Sequence, residues 1–160
     1  MIFKQIINKY FYFLLLLIIV AGIYFRIEFF NDGIWPDEWI SYYISVSDLS
    51  FFKKLNIHLS KEGSSPINLV FNNLIYFFVG YNYQNFELCF LTINIISILL
   101  FLLITKQKEK KLLILFLLSL NPMLIYFSGE IRFYTLSLFF AIISVIFFFK
   151  LQNINSKSNI

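Results

Sequence analysis

Four strongly apolar stretches of at least sixteen residues carry no charged side chain: Tyr10–Phe25, Leu88–Thr105, Leu112–Gly129 and Phe133–Phe149. As helices rising about 1.5 Å per residue, each covers roughly 24–27 Å. A hydrocarbon core of about 30 Å is reached once flanking Lys or Arg snorkel to its edges. Such runs exclude an ordinary soluble domain. The composition agrees: the 160 residues are 59% hydrophobic and 14% charged, where soluble domains carry about 25% charge. Disorder is excluded by the same apolar and aromatic wealth. A disulfide framework is excluded because Cys89 stands alone. The net charge of +4 is spread between the apolar runs rather than gathered on one surface, which argues against a nucleic-acid partner. The first run follows Lys4 and Lys9 and contains Val20-Ala21-Gly22, yet apolar sequence continues past Gly22, so it reads as a membrane helix rather than a cleaved leader.

A fifth stretch, Ile67–Val79, is too short to span comfortably, at about 20 Å as a helix. Asn68, Asn72 and Tyr76 recur on one face, with Leu74, Phe77 and Phe78 on the other. That pattern predicts a helix lying in the headgroup plane. The expected architecture is therefore an all-α integral membrane protein with crossings over 10–25, 88–105, 112–129 and 133–149. Its external loop covers 30–87 and holds the juxtamembrane helix 67–79. Residues 1–150 form the membrane module and 151–160 a polar cytoplasmic tail. With both termini cytoplasmic, Lys4, Lys9, Lys106, Lys108, Lys110, Lys111, Lys150 and Lys157 are inside, 8 of the 13 basic residues. Five crossings would place 10 basic residues inside, but that alternative must insert Asn68, Asn72 and Asn73 into the bilayer. Four crossings also put every acidic residue except Glu109 outside, with the 30–66 loop and the Ser128–Arg132 turn on one side.

Two polar constellations lie on that side. The first is Asn31-Asp32-Gly33-Ile34-Trp35-Pro36-Asp37-Glu38-Trp39. Asp37 either begins a helix whose first turn favours acidic residues, or serves as a general base or cation ligand at the membrane surface. The second runs from Asn121-Pro122 through Ser128-Gly129-Glu130-Ile131-Arg132-Phe133-Tyr134. Pro122 ends or kinks the third helix, and Gly129 allows a turn. Glu130 and Arg132 avoid the bilayer centre, where each charge costs about 2.5–3.5 kcal/mol. They form either a mutual ion pair at the turn or a site in which Arg132 holds a phosphate. His58 reads as an interfacial surface residue, Cys89 as a packed thiol, and Lys53-Lys54 as a solvated or headgroup-facing pair. No metal-ligand set, GxGxxG, P-loop or HExxH pattern is present.

The order of these elements resembles the N-terminal part of C-type (GT-C) membrane glycosyltransferases, in the protein mannosyltransferase-like and lipid A aminoarabinose transferase-like branches. The resemblance rests on Trp35-Pro36-Asp37-Glu38 after the first helix and on Ser64-Ser65-Pro66-Ile67-Asn68 leading to Val79-Gly80. Its third element is the N-P-x-x-I-Y-x-S-x-E-x-R-x-Y-x-L string from Asn121 to Leu136. It implies sugar transfer, with inversion, from a polyprenyl-phosphate donor to a lipid, glycan or protein acceptor at the external face of the cell membrane. Asp37 then matches the catalytic base, with Glu38 completing its motif. Glu130, Arg132 and Tyr134 match residues lining the substrate cavity. The cofactor is left open, a divalent cation being the candidate, and the surrounding lipids are the other partners. Where many relatives carry an arginine after the glycine, this chain has Glu87. Relatives are several times longer, which implies a fragment, or one half working with a complementary C-terminal half. The alternative is a non-catalytic multi-pass protein keeping the family outline. A transporter or channel ranks last, since Asn94 and Ser97 are the notable polar residues of the second helix.

Overall fold

The computed structural model describes residues 2–29, 35–61, 65–104 and 106–158. Among these the secondary structure is helical, without strands: α1 (Ile2–Phe29), α2 (Pro36–Val46), α3 (Phe51–Lys61), α4 (Pro66–Val79), α5 (Tyr83–Leu100), α6 (Lys108–Ser119), α7 (Pro122–Tyr126) and α8 (Phe133–Ser158). A 3-10 turn, Phe101–Leu103, prolongs α5. Three stretches are long and apolar enough to cross a membrane: Lys9–Glu28, Tyr83–Leu103 and Phe133–Leu151. They coincide with the first, second and fourth expected crossings. Their outer faces are apolar and uncovered, with Tyr12 77%, Phe13 63% and Phe148 63% exposed. Apolar surface on that scale suits lipid rather than water.

The third expected crossing does not form one helix. Pro122 has no N–H to continue the ladder, so α6 stops at Ser119 and the chain restarts as α7. The Asn121 side chain caps the restart, accepting from the backbone N–H groups of Met123 at 2.9 Å and Leu124 at 3.2 Å. The 12 residues of α6 cover about 18 Å. At the other end of the chain α8 continues through Ser158, so the polar segment after residue 150 begins as helix rather than as a separate tail.

Helix directions follow from the contacts. Ile7 and Phe11 near the start of α1 pack on Leu112 near the start of α6, and Gly22 meets Ser119 at the end of α6. Thus α1 and α6 run parallel. Ile19, Gly22 and Arg26 share a small cavity with Ile95, Ile98 and Leu99, while Arg26 bonds Asn94, so α5 runs antiparallel to α1. Arg26, 1% exposed, joins all three helices. Its Nε donates to Asn94 Oδ1 at 3.0 Å, and its terminal nitrogens donate to the carbonyls of Gly22 (2.8 Å), Ser119 (2.8 Å) and Leu118 (3.3 Å). The last carbonyls of a helix lack intrahelical partners and carry its negative dipole end, and both needs are met by this cation. Arg26 is therefore a buried clasp.

Helices α2, α3 and α4 form a cap over the beginning of α5. Helix α4 turns Asn68, Leu69, Asn72 and Ile75 inward and leaves Leu74, Phe77 and Phe78 exposed. The asparagine stripe expected to face headgroups thus faces protein, and the apolar stripe faces out. Gly80, at φ 68°, closes α4 with its N–H on the Tyr76 carbonyl. His58 and Lys54 are also buried, not interfacial as their sequence suggested. Lys54 Nζ donates to the Ser45 carbonyl at 2.6 Å and to Asn73 Oδ1 at 2.9 Å, whereas Lys53 stays exposed. The main apolar cluster, Tyr42, Val46, Ile75, Phe86, Phe90, Ile131 and Leu136, ties the cap to the first turns of α5 and α8. Cys89 packs against it, as a packed thiol should.

Candidate functional site

The first turn of α2 meets the turn between α7 and α8, and both carry ionisable side chains. Pro36 occupies the first helical position of α2, which puts Asp37 and Glu38 in the positive end of the helix dipole. Glu38 reaches back to its own cap, where Oε2 accepts the Trp35 N–H at 3.1 Å. Its Oε1 accepts the Ile131 N–H at 2.9 Å. One buried carboxylate, 2% exposed, thus ends a helix and pins a turn 93 residues away. Burial raises its pKa, opposed by the two backbone N–H bonds and by Arg132.

Asp37 points outward and pairs with Arg132, Oδ2 to guanidinium nitrogen at 3.2 Å, with the two side chains 63% and 29% exposed. The same guanidinium lies over the Tyr134 ring at 5.4 Å. Tyr134 is held from behind by Phe127, ring centroids 4.5 Å apart. The turn is further tied by Ser128 Oγ on the Ile125 carbonyl (2.7 Å) and Thr135 Oγ1 on the Phe127 carbonyl (3.1 Å). Glu130, 8% exposed, sits inside the turn with no partner for Oε2. Burial, the negative charges of Glu38 and Asp37, and only a partial offset from Arg132 push it up to about 7.

Helix α5 supplies the floor. Tyr83 packs on Trp39 (5.4 Å) and edge-on to Tyr42 (5.2 Å), within electrostatic reach of Glu38, Glu87 and Glu130. An accessible carboxylate beside a partly exposed guanidinium, backed by a carboxyl that titrates near neutrality, can accept a proton and hold an anion. Among the described residues, no three His, Cys, Asp or Glu side chains are grouped to hold a metal ion.

All five residues singled out from sequence, Asp37, Glu38, Glu130, Arg132 and Tyr134, therefore meet at one end of the helices. The ion pair at the turn is Arg132 with Asp37, not Arg132 with Glu130, because Glu130 folds inward while both partners face outward. Asp37 begins a helix, as the first reading of its segment expects, and its carboxylate stays accessible. Asn31, Asp32, Gly33 and Ile34 of the first constellation lie outside the described residues. Sequence reasoning missed Tyr83 as a neighbour of the carboxylates and Arg26 as the clasp beneath. An arginine embedded in an otherwise apolar helix end was the signal available for Arg26. Comparison with protein-family models, curated proteins and solved structures finds no match.

Proposed function

We propose that this site serves sugar transfer from a polyprenyl-phosphate donor to a lipid, glycan or protein acceptor at the external face of the cell membrane, as in the C-type glycosyltransferases its motifs resemble. The observation that carries this reading is the Asp37–Arg132 pair, reinforced by Glu38 on Ile131, which joins the first and third elements of the resemblance in one accessible site. Asp37 takes the proton of the acceptor hydroxyl as its oxygen attacks the anomeric carbon. The bond from that carbon to the phosphate oxygen breaks, and the phosphate leaves with the electron pair, its charge met by Arg132. Tyr134 steadies the guanidinium over its ring, and Glu130 lines the site. Glu38, with both oxygens taken by backbone N–H groups, acts as a positioning residue. The parallel course of α1 and α6 supports four crossings, α6 and α7 together making the third, and the lysine-rich loop at 106–111 supports cytoplasmic termini. A crossing by α4 would demand opposite directions for α1 and α6.

The test is transfer of radiolabelled sugar from polyprenyl-phosphate donors by the full chain in proteoliposomes. Asp37→Asn should abolish transfer without loss of fold, and equal transfer by the variant would refute the reading. A second reading, a non-catalytic membrane protein, is favoured by the satisfied geometry of Glu38 and Asp37, which also serves to clamp α2 to α8. It predicts neither transfer nor saturable binding of a polyprenyl-phosphate sugar.

A further inference from the structure

The turn between α7 and α8 is docked on the main apolar cluster by the buried Ile131 side chain and on α2 by polar contacts. Two of these are attractive: the Ile131 N–H on Glu38 Oε1 and Arg132 on Asp37. Between them Glu130 is more than nine-tenths buried, with Oε2 unpartnered. The charged and titratable groups facing it are Glu38 and Asp37 from α2, Tyr83 from α5, with Glu87 a turn further along that helix, and Arg132 from its own turn. The one cation of this set is engaged with Asp37. A neutral carboxyl group can occupy this place at modest cost. An ionised one is a buried, unpaired charge among like charges.

We propose that the Ser128–Arg132 turn is a proton-held latch: docked on α2 while Glu130 is protonated, and released when Glu130 ionises. Release would lift Ile131 off Glu38, uncover the floor of the site around Tyr83, and free Arg132 from Asp37. The direction follows from linkage. The docked state binds the Glu130 proton more tightly than the released state, where the carboxyl is solvated. Docking is therefore fully favoured below the ordinary carboxyl range and weakens as pH rises towards neutrality. The inference stands on the packing alone and does not need the sugar-transfer reading.

Amide hydrogen exchange of the full chain in nanodiscs, corrected for the intrinsic pH dependence of exchange, tests it. The segment Ser128–Arg132 should lose protection about 10-fold between pH 6 and 8, while Phe86–Phe90 of α5 stays protected. Glu130→Gln, which cannot ionise, should keep the turn protected at pH 8. Should Glu130→Gln fail to fold, as judged by the α5 segment, Glu130→Met provides the neutral side chain without hydrogen-bonding groups. Independently, the infrared band of a protonated carboxyl should be present in wild type at pH 6 and vanish by pH 8. Corrected protection that does not change with pH would overturn the latch. So would a transition that survives in Glu130→Gln, or one that disappears in Glu87→Gln instead.

Discussion

The close approach of α1 to α6 at Gly22 gives the sharpest energetic prediction, through Gly22→Ala. A Cβ at Gly22 would lie 2.8 Å from Ser119 Cβ, 3.2 Å from the Ser119 carbonyl oxygen and 3.3 Å from its Oγ. Carbon atoms pack at about 3.5–4.0 Å, so α1 and α6 must separate by roughly an ångström at this point. Overpacking of this kind costs about 1–3 kcal/mol. The separation also stretches the bonds from Arg26 to the Ser119 and Leu118 carbonyls, and hydrogen bonds from a charged donor are worth about 1.5–3 kcal/mol. Against this, alanine gains about 1 kcal/mol over glycine in helix propensity. The contact terms win, for a net loss of about 1–3 kcal/mol. Thermal unfolding in a fixed detergent should show a lowered midpoint for Gly22→Ala. Ser119→Gly, which removes the facing Cβ and Oγ, should restore most of the loss in the double variant. Unchanged or raised stability of Gly22→Ala would show that α1 and α6 are not in the contact described, and equal losses with and without Ser119→Gly would refute the steric cause.

Glu38→Ala leaves the buried Ile131 N–H without its acceptor and removes half of the α2 cap, for an expected loss of about 2–4 kcal/mol by the same unfolding assay. Glu38→Gln, which keeps one acceptor oxygen, should lose less. Asp37→Asn, in contrast, breaks an exposed ion pair and should change stability by well under about 1 kcal/mol, while abolishing transfer in the proteoliposome assay. Asn72 is fully buried with neither amide atom hydrogen-bonded, so Asn72→Leu, of similar size, should raise the unfolding midpoint.

The fold was legible where periodicity and charge act over long distances. Apolar runs located α1, α5 and α8 because lipid imposes one requirement on every residue of a span. In the run at 112–129 apolar content alone gives one span, and the break between α6 and α7 was legible through Pro122, whose missing N–H ends the ladder. The face of α4 was legible as a division into two stripes. Its orientation was not, because whether Asn68 and Asn72 meet headgroups or protein depends on packing that no local pattern contains. Likewise Lys54 and His58 look like surface residues until α3 is laid against α2 and α4. The candidate site was legible through Pro36-Asp37-Glu38 and the Glu130–Arg132 turn, whose charges must leave the bilayer. Which cation pairs with which anion was undetermined, because Glu130 and Asp37 compete for Arg132 from two residues away in one case and from over ninety in the other.

The central claim is that the Asp37 segment and the Arg132 turn form one site outside the membrane. Substituted-cysteine labelling tests it most directly, in a Cys89→Ser background, with a membrane-impermeant maleimide applied to intact cells carrying Asp37→Cys, Arg132→Cys or Lys108→Cys. The account predicts labelling at positions 37 and 132 from outside, and at 108 only after permeabilisation. Labelling of positions 37 and 132 from opposite sides would contradict it.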